Sequence, residues 1–318
     1  MLLFSPCIMK WYIPLAVAHV ASASADVGWV TVDDEISDEV PDVVEDGWLM
    51  VSPRHLNSSL PLASTSDRLR LWRSAIPPPG MSYEEAFDQH FDLLPENVRA
   101  VINVDIKRSG VGMSFSGKYD WLEDVLKSYA LRNQKVGYCQ GMNYIAAQFI
   151  AMGFSRKDAF LGLAFFIERV AVGYHSHDFP GFVNDTIIIG QLIHDGFPEL
   201  DAKIAAINSD GDDIIKMIAV ETSLSLFARS LPPPAIIPIW DVLIVNGRRG
   251  LLAATTGMIA FLGYCFPSVF DDEAIIRTIR CYSDGLTTIS TERLHVLLGL
   301  IYAILHYPRV RHINPFAR

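Results

Sequence analysis

Basic residues are in short supply: 26 Lys and Arg stand against 36 Asp and Glu, a formal net charge of −10. Proteins that grip nucleic acid cluster Lys and Arg against its phosphates, so nucleic acid is not an expected partner. Cysteine is scarcer still. Cys7, Cys139, Cys265 and Cys281 include no C-x-x-C pair and are too few to frame a disulfide-built fold in 318 residues, which points to a reducing compartment. No Gly-rich loop ends in Gly-Lys-Ser or Gly-Lys-Thr, so the chain is not itself a P-loop nucleotide hydrolase. What is present is a composition 50% hydrophobic and 19% charged, enough apolar material for one large core or two modest subdomains.

The N-terminus pulls against the cysteine argument. Residues 11–20 are mostly apolar and run into Ala21-Ser22-Ala23-Ser24-Ala25, which resembles a signal-peptidase site, although no basic residue precedes Lys10. Residues 1–25 therefore look like a secretory signal or, read differently, an irregular extension. Residues 250–270 carry no charge and are long enough on paper to span a membrane. They also contain Thr255, Thr256, Gly257, Gly263 and Pro267, and a buried core helix is the expectation.

Residues 33–46 hold eight acidic side chains without a helical or strand period, as a flexible linker does. A Ser-rich piece, 58–66, follows. The folded part is expected from about residue 61, which divides the chain into an N-terminal extension, 1–60, and a domain, 61–318. Ser82 with Glu85, and Ser155 with Asp158, place a capping side chain three residues before an acidic one. Tyr83, Phe87 and Phe91 recur at the spacing of one buried helical face. Apolar helical runs are expected at 121–131, 144–152, 159–170, 214–227, 236–245, 251–266, 273–281 and 293–306, with breaks at Pro232-Pro233-Pro234 and Asn246-Gly247. No strand is needed, so the expected class is all-α.

Several familiar constellations are weak. Residues 112–117 place serines between glycines but lack the G-x-S-x-G spacing and a preceding strand, and are expected to form a loop. His175-Ser176-His177-Asp178 lacks further Cys or His at metal-ligand spacing. Cys139 has no His or Asp nearby in sequence to activate it, and is expected to be a packed or partly exposed thiol.

Two polar stretches stand out. In Ile102-Asn103-Val104-Asp105-Ile106-Lys107-Arg108-Ser109, the residues Ile102, Asp105 and Arg108 share one face of a helical turn, so Ile102 can anchor while Asp105 pairs with Arg108. In Val136-Gly137-Tyr138-Cys139-Gln140-Gly141-Met142-Asn143-Tyr144, glycines flank a polar tip and allow close approach of the backbone to something else. Taken alone, the first could be a surface ion pair of little worth and the second a helix-entry turn with Gln140 solvated.

Together, in this order, the two stretches resemble the I-x-x-D-x-x-R and Y-x-Q-G-M marks of the TBC domain, the helical Rab GTPase-activating family. Arg68-x-x-x-Trp72 is similar to that family's opening element, residues 121–133 to the helix before its glutamine motif, and Leu226-Phe227-Ala228-Arg229 with Ile239-Trp240-Asp241-Val242-Leu243 to its C-terminal half. Ser109 stands where the family usually has threonine, no G-I-P entry precedes Arg68, and Glu221-Thr222-Ser223 lies where a tryptophan is common.

The resemblance implies a fold of two packed helical subdomains and a catalytic activator of a small Rab-type GTPase, which is the implied partner. Arg108 and Gln140 would be the fingers supplied in trans; Asp105 would orient Arg108; Tyr138, Gly141 and Asn143 would shape the loop carrying Gln140. Such a protein needs no cofactor of its own and no metal, since GTP and Mg²⁺ belong to the GTPase. It implies a role in vesicle trafficking and intracellular protein transport, in the cytoplasm at endomembrane surfaces, peripheral to the membrane and without a stable span, against the signal-like residues 1–25. The alternative is a scaffold of the same fold that binds a Rab or another partner without stimulating hydrolysis.

Overall fold

The computed structural model describes residues 65–76, 91–109, 118–207, 212–265, 289 and 291–316, all within one unit, 40–318. The signal-like and acidic segments, the Ser82 cap with Tyr83 and Phe87, the 112–117 loop, the 273–281 run, Cys7 and Cys281 lie outside the described residues.

Among the described residues all regular structure is helical. Helix α1 is Thr65–Ala75, α2 Glu96–Arg108, α3 Tyr119–Arg132, α4 Met142–Ala151 and α5 Arg156–Phe165, the last running into a π-helical turn, Phe166–Val170. Then come α6 Pro180–Gly196, α7 Pro198–Ile207, α8 Asp212–Ser223, α9 Pro233–Cys265, α10 Thr291–Leu305 and α11 Pro308–Arg311. Helix α9 is two helices joined at Gly247, whose φ of 53° and ψ of −136° are not helical. Helices α2 to α5 pack on one another, and α6 to α11 gather around α9; the π-helical turn and α1 join the two groups by packing on α9.

The N-terminal group follows its sequence closely. Ser155 caps α5, its hydroxyl accepting the Asp158 N–H at 3.1 Å, as the capping pattern predicts. Ile102, Asp105 and Ile106 form the buried face of α2 at helical spacing, and Ser109, the residue that caps its end, is buried too. Residues 251–263 are buried, the outcome expected for the uncharged run, and no helix of the described residues is long and apolar enough to cross a membrane.

No apolar run is picked out in the sequence between 170 and 214, yet α6 and α7 fill most of that interval. One expectation needs correction. The run expected at 214–227 stops at Ser223. Thr222 and Ser223 turn their hydroxyls back onto the Ile218 and Ala219 carbonyls, which occupies acceptors of the last turn. Leu226 and Phe227 then adopt left-handed φ values of 48° and 67°, which no right-handed helix accommodates.

The two groups meet at a cluster of rings. Trp240 is fully buried and lies 4.8 Å, centroid to centroid, from both Phe149 and Phe166 and 5.8 Å from Trp72. At its edge Asp241 accepts the Trp72 indole N–H at 2.6 Å through one oxygen and Arg68 Nε at 2.8 Å through the other. The R-x-x-x-W and I-W-D elements, far apart in sequence, thus share one carboxylate. Burial pushes the Asp241 pKa up; the hydrogen bond from Trp72 and the charge of Arg68 oppose it.

Candidate functional site

Arg108 occupies the last turn of α2, and Gln140 sits in the turn that leads into α4. The two places are joined by a short polar network. Tyr138 donates its phenol proton to Asp105 Oδ2 at 2.9 Å. Asn143 donates its amide to the Asp105 carbonyl at 3.3 Å and to Ser109 Oγ at 2.9 Å, while Ser109 Oγ donates to the Asp105 carbonyl at 2.7 Å. The remaining oxygen of Asn143 accepts the Gly141 N–H at 3.0 Å. Asp105, Ser109 and Asn143 are all buried, so the amide and the hydroxyl must find partners inside the protein, and they find them in each other.

The guanidinium of Arg108 lies 3.8 Å from Asp105, beyond hydrogen-bonding distance, and 62% of its side chain is exposed. The short hydrogen bond of the carboxylate goes to Tyr138 instead. Burial raises the Asp105 pKa, opposed in turn by Tyr138, Arg108 and Arg229. The Tyr138 pKa is held well above its ordinary value by burial first and then by the Asp105 charge, so the phenol stays neutral and donates. An exposed cation thus extends beside a buried anion that its neighbours hold still.

Gly137 and Gly141 both have positive φ, 64° and 111°, but their surroundings differ. A Cβ on Gly137 would meet nothing, so that glycine serves the turn alone. At Gly141 a Cβ would stand 2.7 Å from the Leu224 carbonyl oxygen, which is the close approach that the glycine-flanked tip predicts. The Leu224 carbonyl in turn accepts from His175 Nε2 at 2.8 Å. The His-x-His pair diverges: His175 is buried against this carbonyl, whereas His177 is exposed beside Asp178. Among the described residues no three His, Cys, Asp or Glu side chains gather as a metal site would require. Cys139 is a buried thiol.

Of the six residues singled out in sequence, Asp105, Tyr138, Gly141 and Asn143 are tied into one network with the backbone that carries Arg108 and Gln140. Ser109, in sequence only a departure from threonine, is a full member. Arg229 belongs to the Leu-Phe-Ala-Arg motif, and its charge acts on Asp105 while it pairs with Glu221 at 3.3 Å. Leu224 carries no signal in sequence, because it contributes a backbone atom, and His175 stands there only as half of a weak His-x-His pair far away along the chain.

The Rab-GTPase-TBC domain profile matches residues 86–264. The chain is 31% identical over 129 residues to growth hormone-regulated TBC protein 1 of Rattus norvegicus, covering 40% of this chain and 43% of that protein. It is 23% identical over 198 residues to TBC1 domain family member 30 of Xenopus tropicalis, covering 59% of this chain and 22% of that one. The matches thus span less than half the length of these relatives. Among solved structures, the flagellar RabGAP TBC domain of Chlamydomonas superposes with a TM-score of 0.61 at 18% identity, over 94% of this chain and 91% of that one. The Ypt/Rab-GAP domain of Gyp1p gives 0.52 at 17%, over 80% and 87%.

Proposed function

We propose, from the premise that this chain belongs to the Rab-GTPase-TBC domain family, that it accelerates GTP hydrolysis by a small Rab-type GTPase, supplying Arg108 and Gln140 to the partner's nucleotide site. The supporting observation is the network Tyr138–Asp105–Ser109–Asn143–Gly141, which brings the end of α2 and the turn before α4 into one rigid corner. Hydrolysis of a phosphoanhydride asks little covalent work of a protein. The attacking water must be oriented, and the charge that grows on the phosphoryl oxygens must be neutralised.

Arg108 suits the neutralising role, being permanently charged, equipped with a planar fork of donors, and exposed enough to leave its own surface. Gln140 suits the orienting role, with an acceptor for a water proton and donors for a backbone group. The 3.8 Å separation of Arg108 from Asp105 matters here, because a guanidinium already committed to a close bidentate pair would have to break it before reaching a phosphate. The active domain is proposed to span 61–318, with 1–60 as an extension. The proposed setting is the cytoplasmic surface of endomembranes, in vesicle trafficking, and both GTP and Mg²⁺ belong to the GTPase.

The test is single-turnover GTP hydrolysis by a panel of GTP-loaded Rab proteins with the full chain, comparing wild type, Arg108→Ala, Gln140→Ala and the double variant. Acceleration of at least one Rab by wild type, lost in either single variant and less than multiplicative in the double, is the expected result. Equal rates in all four at saturating protein, with binding intact, would leave the scaffold reading in its place.

A further inference from the structure

Behind the Gln140 turn lies a buried histidine. His175 directs Nε2 at the Leu224 carbonyl, 2.8 Å away. A carbonyl oxygen only accepts, so Nε2 carries the ring's proton, and Nδ1 is left buried without a hydrogen-bond partner. A ring retained for packing alone would be better replaced by an apolar one, since a bare buried nitrogen costs solvation and returns nothing. What the imidazole provides is its single N–H.

That N–H acts on an atom with a second neighbour. The Leu224 oxygen lies 2.7 Å from where a Cβ on Gly141 would stand, close against the residue that follows Gln140. Leu224 also opens the irregular segment in which Leu226 and Phe227, both fully buried, hold left-handed backbone angles. Bulky side chains take that conformation only where their surroundings impose it, and such strain gathers where a backbone group must point in a set direction. Here the group so aimed is the Leu224 carbonyl, fixed on one side by His175 and set against Gly141 on the other.

We infer that His175 is a positioning residue for Gln140: by holding the Leu224 carbonyl against Gly141, it fixes the turn from which Gln140 projects. Its effect on hydrolysis rests on the reading of Gln140 as the group that orients water. The role belongs to Nε2 specifically. A glutamine at 175 can place an amide N–H near the same point, whereas an asparagine, one methylene shorter, cannot reach it, and a phenylalanine fills the space without a donor.

Two measurements on the full chain decide this. In the free protein, amide exchange at Gly141 should rise about tenfold in His175→Phe and His175→Asn, the scale of one lost hydrogen bond, and return close to wild type in His175→Gln. With a GTP-loaded Rab that the wild type activates, kcat should fall by about the same factor in Phe and Asn while KM is unchanged, again restored by Gln. In a Gln140→Ala background, His175→Phe should remove nothing further. Gly141 exchange that is the same in all variants, or Gln and Asn behaving alike, overturns the inference; so does an equal fractional loss of rate with and without Gln140. Should His175→Phe fail to fold, the Gln and Asn pair still answers the question. If wild type and Gln140→Ala hydrolyse GTP at the same rate, the proposed function falls, and the exchange result by itself decides the part played by His175.

Discussion

Where α1 and α4 meet α9 the contact is made of rings, and where α2 meets the start of α4 it is made of hydrogen bonds. The ring cluster of Trp72, Phe149, Phe166 and Trp240 is apolar and tolerates a range of tilts; its interplanar angles run from 38° to 81°. Its attraction is large and weakly directional. The polar corner around Asp105, Ser109 and Asn143 instead fixes each donor and acceptor by distance and angle. Net stabilisation per hydrogen bond is small, while the penalty for misplacing one is large. The first region should therefore set how stable the protein is, and the second how well two side chains are aimed.

The comparison is broken most directly at its apolar end. Trp240→Ala should cost about 3–5 kcal/mol, measured by urea unfolding, as truncation of a fully buried ring does. A cost under about 1 kcal/mol would mean that the cluster is not the main tie between the helix groups. At the polar end, Arg108→Ala should cut stimulated hydrolysis about a thousandfold, the range of arginine fingers. Its melting temperature should hardly move, since the side chain is mostly exposed. Arg108→Lys should fail as well, for want of the planar fork.

A subtler division comes from pH. Burial holds the His175 pKa down at about 4, against an ordinary 6.5. Between those values the unfolded chain takes up a proton that the folded chain refuses, so stability falls as the pH falls. Going from pH 7 to pH 5 should cost about 2 kcal/mol through this group, and His175→Phe should flatten that part of the profile. The smallest effect is expected for Ser109→Ala, about 1 kcal/mol in stability, because Asn143 keeps the Asp105 carbonyl as a second acceptor. The sharper loss should be in kcat. If kcat holds while stability falls, the corner is a structural tie like the ring cluster and the contrast disappears.

Much of the corner is legible in the sequence. Helical spacing puts Ile102, Asp105 and Arg108 on one face, and the glycines around Tyr138 to Asn143 announce a tight turn with a close neighbour. What spacing cannot reveal is the identity of that neighbour, since the Leu224 carbonyl is a backbone atom in a segment whose apolar pattern reads as helix. Left-handed angles at Leu226 and Phe227 have no signature either, because nothing local in a Leu-Phe pair favours them. Residues 180–207 escape for a different reason. Asn184, Asp185, Asp195, Gly196 and Pro198 interrupt the apolar period there, and one of them does so for a buried purpose. Asp185 is fully buried, accepting from Tyr174 Oη at 2.8 Å and from Arg248 Nε at 2.9 Å, so a charge that reads as surface belongs to the interior.

The shared carboxylate of Asp241 also has a consequence for how the chain is made. Trp72 and its acceptor are 169 residues apart, and synthesis at roughly 5–20 residues per second delivers the second on the order of ten seconds or more after the first. For that interval α1 has been translated while the helix that will cover its tryptophan has not. The rings of Phe149 and Phe154, which also pack on Trp72, are made well before Asp241, so the indole can meet its apolar neighbours before it meets its acceptor.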